Sequence, residues 1–139
     1  ILPIDVVCGK NKEDKNPFEF SVNQITSDFM ILDLGKRTTE IINQEIKNSK
    51  MVLWNGPVGA FEYKPYDKAT TEIAIYIMEN AKKFNISTLA GGGDTISSIK
   101  NANAEDGFDY ISNAGGAFLE WLEGNQSPGV IAIKENNFI

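Results

Sequence analysis

The chain has 139 residues and a formal net charge of −6 at pH 7, from 13 basic and 19 acidic side chains. It has no histidine and one cysteine, Cys8, which excludes imidazole-dependent catalysis, histidine-ligated metals and intrachain disulfides. Because Arg37 is the only arginine of an acidic chain and no apolar run is long enough for a membrane span, we expect neither a nucleic-acid partner nor a membrane.

The apolar residues follow a pattern that alternates between strands and helices along the chain. In chain order it predicts strands at 1–8, 18–22 and 29–34, a helix at 38–49, a strand at 51–54, a helix at 67–84, a strand at 87–90, a helix at 96–101, a strand at 108–112, a helix at 115–122 and an apolar stretch at 130–133. We assign the helix caps to Thr38 or Thr39 and to Asp67. The alternation predicts an α/β fold, with a three-layer Rossmann-like parallel sheet covered by helices on both faces.

Three predicted strand ends are unusually rich in glycine, at 55–59, 91–93 and 114–116. Ligands of such sheets bind beyond the carboxyl ends of the strands, and the second and third segments run directly into predicted helices. Free backbone N–H groups and the helix dipole make such a turn an anion site, although each glycine could simply supply a turn. Three such segments at one sheet edge favour phosphate binding.

Asp94, Thr95 and Glu62 are the polar side chains that accompany these segments. Asp94 is either a plain N-cap or a magnesium ligand, since a carboxylate among phosphate groups repels them unless a cation lies between. Thr95 can offer a backbone N–H and a hydroxyl to phosphate. Glu62 is either a solvated surface residue or an acceptor for ribose hydroxyls, and both interpretations remain open.

Three segments carry a resemblance to a known family: WNGPVGAFE at 54–62, LAGGGDT at 89–95 and GGAFLEWLEG at 115–124. In these segments, their order and their spacing, the sequence closely resembles phosphoglycerate kinase. LPIDVV at 2–7 and LDLG at 32–35 match as well, so the resemblance covers the whole chain. It implies that residues 1–139 are the C-terminal part of that family's nucleotide-binding domain, with the N-terminal substrate domain absent.

The resemblance implies a glycolytic, cytoplasmic and monomeric enzyme that transfers phosphate reversibly between 1,3-bisphosphoglycerate and ADP, giving 3-phosphoglycerate and ATP. ADP or ATP would bind with Mg²⁺. The phosphoglycerate would bind mainly through the absent N-terminal domain, so we expect this chain alone to be inactive. A non-catalytic α/β module that binds an anion or a partner chain is the alternative.

The resemblance also implies a role for individual residues. On the nucleoside side these are Gly35 near adenine, Glu62 at the ribose, and Asn55, Pro57 and Gly59 along the cleft. On the phosphate side they are Asp94 at the magnesium of the nucleotide, Gly92, Gly93 and Thr95 at the phosphates, and Gly115 and Gly116 at a helix facing the reaction. The catalytic positions implied are therefore Gly92, Gly93, Gly115 and Gly116. The chain departs from the family at Asn113 and Ala114, where Thr and Gly are usual, and at Lys36, where Pro is usual.

Overall fold

The computed structural model of the chain describes residues 1–113, 115–125 and 128–135. Its strands are β1 (Asp5–Gly9), β2 (Phe18–Ser21), β3 (Met30–Leu34), β4 (Met51–Asn55), β5 (Ser87–Gly91) and β6 (Tyr110–Ser112). Its helices are α1 (Lys36–Asn48), α2 (Lys68–Phe84), α3 (Gly93–Asn101), α4 (Gly115–Leu122) and α5 (Pro128–Glu135), and short 3₁₀ turns lie at Val22–Gln24 and Glu105–Gly107. The apolar stretch predicted at 130–133 lies within α5, whereas Ala114 lies outside the described residues.

Strands β4, β5 and β6 form a parallel sheet in that spatial order, flanked by helices. Their ends are level, since Asn55 is the register partner of Gly91 and Gly91 is the partner of Ser112. Each strand is followed by a helix or a long connection that returns the chain to the start of the next strand, as parallel pairing requires. The predicted α/β fold class with a parallel sheet is confirmed.

Strands β1, β2 and β3 form a separate sheet in the order β2-β1-β3, and both pairings are antiparallel. We expected them in the parallel sheet, and that expectation is wrong. The connection at 10–17 between β1 and β2 contains no helix, and such a short connection can return the chain only beside itself and in the opposite direction. Cys8 lies in β1, in the middle of this sheet, and its side chain is fully buried.

The core surrounds α2. Ile73, Ala74, Ile77 and Ala81 are buried on one face of this helix, at the spacing that the sequence predicts for its inner side. They pack with buried side chains from the neighbouring elements, among them Ile46, Trp54, Ile86, Ala90 and Ile99. No helix in the described part of the chain is both long and apolar enough to cross a bilayer.

Two helix caps differ from the prediction for one physical reason. Helix α1 begins at Lys36, so Thr38 and Thr39 lie inside its first turn instead of capping it, and the side chain of Asp67 makes no capping hydrogen bond at α2. At both helices a carboxylate from the antiparallel sheet accepts the first backbone N–H groups instead: Asp5 at α1 and Asp33 at α2. Because these partners are distant in sequence, local patterns did not reveal them.

Candidate functional site

The site begins where the level ends of β4 and β5 meet the first turn of α3. The sequence placed the start of this helix at residue 96, but it begins at Gly93, so Asp94 and Thr95 belong to its first turn. Gly92 precedes the helix as its N-cap residue, and its N–H donates to the carbonyl of Ser112 over 3.2 Å. This hydrogen bond ties the start of α3 to the end of β6.

Gly92 has a backbone conformation and a position that both require glycine. Its φ is +98°, a region that residues with a side chain rarely adopt. A Cβ at this position would lie 3.2 Å from the Asn55 Oδ1 and 3.4 Å from the Thr95 Oγ1. The structure thus brings Asn55, Gly92 and Thr95 together, as the sequence predicted for the ends of neighbouring parallel strands.

Thr95 joins α3 to the segment that follows β4. Its side chain is 1% exposed, and its Oγ1 accepts a hydrogen bond of 2.6 Å from the backbone N–H of Gly56. A second hydroxyl holds the same segment, because the Thr70 Oγ1 accepts a hydrogen bond of 3.1 Å from the N–H of Val58. The loop at 55–59 is therefore fixed by α3 on one side and by α2 on the other.

The first turn of α3 presents unused hydrogen-bond donors. Across the described residues, the backbone N–H groups of Gly93, Asp94 and Thr95 have no acceptor; the first N–H of this helix to find one is that of Ile96, which donates to the Gly92 carbonyl over 3.0 Å. Gly93 is exposed, and a Cβ there would meet nothing within 4 Å. The positive end of the helix dipole reinforces these donors, so this turn can bind an anion.

Asp94 places a carboxylate beside those donors. Its side chain is exposed and, within the ranges that the structure describes, has no hydrogen-bond or ion-pair partner. The described residues contain no group of three acidic or cysteine side chains that could hold a metal by themselves. A cation at Asp94 therefore needs further ligands from a bound molecule, as for Mg²⁺ bound by one carboxylate and substrate phosphates.

An open cavity of about 340 Å³, with a largely apolar lining, lies beside the loop. One wall consists of Pro57, Val58, Gly59 and Ala60, and the facing wall of residues 30–34 of β3. The Ala60 N–H donates to the Leu32 carbonyl over 2.7 Å, which joins the two walls. Pro57 and Gly59 thus line a space whose volume lies in the range of small-molecule binding sites.

Among the described residues, no hydrogen bond joins Glu62, Gly35 or Gly116 to the Asn55–Gly92–Thr95 cluster. Glu62 is exposed and shares a shallow depression with Asn101, the last residue of α3, which lies about 10 Å along the helix axis from Asp94. Gly35 is buried beside Leu34 at the start of α1. Gly115 opens α4, Gly116 follows it and is exposed, and α4 contacts β5.

Gly35 and Gly59 each lie directly against a buried carboxylate, a feature that the sequence did not indicate. A Cβ at Gly35 would lie 2.7 Å from the Oδ1 of Asp5, and a Cβ at Gly59 would collide with Asp33. Asp5 and Asp33 are 3% and 2% exposed. The signal available in the sequence is one acidic residue inside each apolar strand, where a charge is costly unless it is paired.

The two carboxylates have opposite pKa shifts. Burial raises the pKa of Asp5, but hydrogen bonds from the Thr38 side chain and from the N–H groups of Thr38 and Arg37 outweigh it, so the pKa is lowered. Burial raises the pKa of Asp33 to about 6, against the lowering effect of the N–H groups of Ala69 and Leu34. Both oxygens of Asp33 accept these N–H groups, each over 2.9 Å.

Comparison with known proteins identifies the family. The family model described as phosphoglycerate kinase matches residues 1–125. A relative named phosphoglycerate kinase from Brucella abortus biovar 1 is 41% identical over 136 residues, which are 97% of this chain and 34% of that protein. Another of that name, from Rhodopseudomonas palustris, is 45% identical over 131 residues, 94% of this chain and 33% of that protein. The chain therefore spans about a third of the length of these relatives.

Solved structures agree with the sequence relatives. The structure of phosphoglycerate kinase from Coxiella burnetii has a TM-score of 0.83 and 31% identity, and the match covers 91% of this chain and 32% of that one. Phosphoglycerate kinase from Pyrococcus horikoshii OT3 has a TM-score of 0.78 and 26% identity, over 95% of this chain and 32% of that one.

Proposed function

Because this chain belongs to the phosphoglycerate kinase family, we propose that it is the C-terminal part of the nucleotide-binding domain of a glycolytic, cytoplasmic phosphoglycerate kinase. The whole enzyme transfers phosphate reversibly between 1,3-bisphosphoglycerate and ADP, giving 3-phosphoglycerate and ATP. This chain supplies part of the site for the magnesium-bound nucleotide. The observation that carries the proposal is the first turn of α3, where, among the residues that the structure describes, three N–H groups without acceptors adjoin a carboxylate without a partner, that of Asp94.

The phosphate groups bind at the start of α3. The N–H groups of Gly93, Asp94 and Thr95 donate to the phosphate oxygens, and the exposed Gly93 lets those oxygens approach the backbone without meeting a side chain. Gly92 and Thr95 keep this turn in place through their contacts with β6 and with the loop at 55–59. Gly115 and Gly116 begin a second helix beside β5 and direct further N–H groups to the phosphate in transfer.

Asp94 fits the magnesium ion that a nucleotide brings with it. The carboxylate is exposed, has no partner in the described part of the chain and lies next to the phosphate donors, so its charge would repel phosphate without a cation between them. When bound, Mg²⁺ neutralises charge on the phosphate oxygens. The chain contributes positioning and electrostatic stabilisation, which provide most of the catalysis in phosphoryl transfer.

The nucleoside binds behind the loop that follows β4. The base enters the cavity between Pro57 and Leu32, with Gly59 on its wall and Gly35 just beyond Leu34. Asn55 lies at the end of β4, with its Oδ1 3.2 Å from where a Cβ on Gly92 would lie, and it precedes Pro57 by two residues. Glu62 accepts hydrogen bonds from the ribose hydroxyls, and its carboxylate has no other partner among the described residues.

A chimera tests the proposal in a complete enzyme. The matching third of the Brucella abortus relative is replaced by this chain, and phosphoglycerate kinase activity is measured. We expect the chimera to be active and Asp94→Asn to lower its kcat by about a hundredfold or more, the usual effect of removing one group that stabilises transition-state charge. Asp28→Asn, which removes an exposed carboxylate in the loop before β3, is the matched control and should retain full activity.

Two outcomes would contradict the proposal. A folded chimera without activity or affinity for MgADP would exclude the assigned function, and full activity in Asp94→Asn would exclude the assigned magnesium contact.

Calorimetric titration of the 139-residue chain with MgADP tests the expectation that this chain holds only part of the site. An affinity equal to that of the chimera would mean that the chain holds the whole site. Anion binding by the chain together with an inactive chimera would favour the non-catalytic module.

A further inference from the structure

Lys12 is the one basic side chain among the described residues that line the cavity next to Pro57 and Gly59. It lies in the loop at 10–17 between β1 and β2, and it is exposed. The other lining residues are apolar, apart from the buried carboxylate of Asp33. Among the described residues, the lining of the cavity is therefore largely apolar and carries one basic side chain.

The structure holds Lys12 in this position through its loop. Tyr66 is fully buried and its hydroxyl donates to the Asp14 carbonyl over 2.7 Å, which anchors the loop to the segment before α2. The Asp14 carboxylate accepts the N–H groups of Lys10 and Asn16 over 3.1 Å and 2.9 Å, which closes the loop around it. The Nζ of Lys12 lies 5.5 Å from the ring centroid of Tyr63, within the range of a cation–π contact.

A ligand bound as proposed above directs its base towards Lys12. The phosphates lie at the first turn of α3 and the loop at 55–59 leads from there to the cavity, so the end of the nucleotide that enters the cavity is the base. An ammonium group has three donors and no acceptor. It therefore pairs with base edges that present acceptors.

The side chains of the cavity offer a donor to the base and no free acceptor. Asp33 is 2% exposed and its two oxygens accept the N–H groups of Leu34 and Ala69, so burial keeps this carboxylate from an amino group on the base. Guanine presents two adjacent acceptors, O6 and N7, whereas adenine replaces O6 by the N6 amino donor. Lys12 thus complements guanine at two atoms and adenine at one.

We propose that Lys12 is a specificity-determining residue that contacts the base and makes the site bind guanine nucleotides at least as tightly as adenine nucleotides. This inference rests on the proposed function, since it assumes a nucleotide with its phosphates at α3. On this proposal, the length and the charge of the Lys12 side chain serve to recognise the base. A residue in a surface loop would not otherwise need either property.

Titration calorimetry on the chimera described above tests the inference, with MgADP and MgGDP as the two ligands. We expect MgGDP to bind at least as tightly as MgADP, and Lys12→Met to weaken MgGDP binding about tenfold while MgADP binding weakens less than threefold. Lys12→Arg keeps the donors and should retain the affinity for MgGDP. Lys10→Met is the matched control, because it removes the same charge from the same loop at a residue that does not line the cavity.

The inference fails if MgADP binds to the unchanged chimera more tightly than MgGDP. It also fails if Lys12→Met changes the two affinities equally, or changes neither. If the folded chimera binds neither nucleotide, the proposed function is itself wrong, a result distinct from any failure of the Lys12 assignment. Thermal unfolding of Lys12→Met should match that of the unchanged chimera, since the side chain is exposed.

Discussion

The hydroxyl of Thr95, in the first turn of α3, accepts a hydrogen bond of 2.6 Å from the backbone N–H of Gly56, in the loop after β4. The two residues are 39 positions apart in sequence, and their contact makes the start of the helix and the loop one unit. If this unit binds the nucleotide as proposed, its two halves need to keep a fixed separation. Variants that loosen the contact should therefore affect stability and binding together.

Thr95→Val keeps the shape of the side chain and removes the acceptor. We expect the free energy of unfolding of this chain to fall by about 1–3 kcal/mol, because the Gly56 N–H loses its partner in a partly buried place. Urea unfolding measures the change. Thr95→Ser retains the hydroxyl and should lose less; a loss in Ser together with no loss in Val would mean that the methyl group, and not the hydrogen bond, is what matters.

Gly92→Ala and Gly93→Ala form a matched pair with different expected effects. At Gly92 the φ of +98° and the nearby Asn55 Oδ1 make a Cβ costly, so we expect a loss of about 1–3 kcal/mol in the free energy of unfolding. At Gly93 a Cβ enters open space within a helix, so stability should be unchanged or slightly higher. In the chimera, Gly93→Ala should still lower the affinity for MgADP, because its Cβ occupies the position proposed for phosphate oxygens. Unchanged affinity in Gly93→Ala would argue against this position of the phosphates.

Asp33 makes the folded chain less stable as the pH rises, whereas most carboxylates make a folded chain more stable as the pH rises. Its pKa is about 6 in the folded chain against an ordinary 3.8, so the folded state binds the proton more tightly than the unfolded state does. The contribution of this carboxyl to the free energy of unfolding therefore falls by about 3 kcal/mol as the pH rises from about 4 to about 6. Asp33→Asn should flatten the profile in that window, as measured by urea unfolding at a series of pH values. A slope that persists in Asp33→Asn would assign it to another group.

Asp5 is expected to be the more important of the two buried carboxylates for stability at neutral pH. Its pKa is lowered, so its contribution is present above an ordinary Asp pKa and is lost as the pH falls through the folded-state pKa. Asp5→Ala leaves the N–H groups of Arg37 and Thr38 without acceptors, and we expect a loss of about 2–4 kcal/mol near pH 7. Asp28→Ala, at an exposed position, should change stability by less than about 0.5 kcal/mol. Comparable losses in both variants would mean that the capping bonds at α1 contribute little.

The helices and the strands of the parallel sheet could be predicted from the sequence, because the pattern of apolar residues that specifies each element is local. The spacing of Ile73, Ala74, Ile77 and Ala81 defines the buried face of α2, and short apolar runs mark β4 and β5. The start of α3 was predicted three residues too late, because three consecutive glycines conceal a helix N-terminus. The antiparallel pairing of the first three strands was missed because apolar pattern alone does not give strand direction.

The residue types of the candidate site could be predicted from the sequence, but the distant residues that hold the neighbouring elements in place could not. The residue types at 55–59 and 91–95 by themselves indicate phosphate binding. By contrast, Asp33 reaches the N–H of Ala69 across 36 positions and Asp5 reaches that of Thr38 across 33. No local pattern specifies such pairs, since they depend on how the antiparallel sheet packs against the starts of α1 and α2. The position of Lys12 at the cavity has the same non-local origin.

The thiol of Cys8 can be used to measure how often the antiparallel sheet opens. It is the single thiol in the sequence, its side chain is fully buried in the central strand of the antiparallel sheet, and burial raises its pKa. An alkylating reagent needs an accessible thiolate, so labelling in native conditions proceeds through openings of that sheet. The rate of labelling, compared with that of the unfolded chain, therefore reports the local opening equilibrium without any engineered probe. A ligand that holds β3 against the loop at 57–60 would therefore slow the labelling of Cys8 without binding at Cys8 itself.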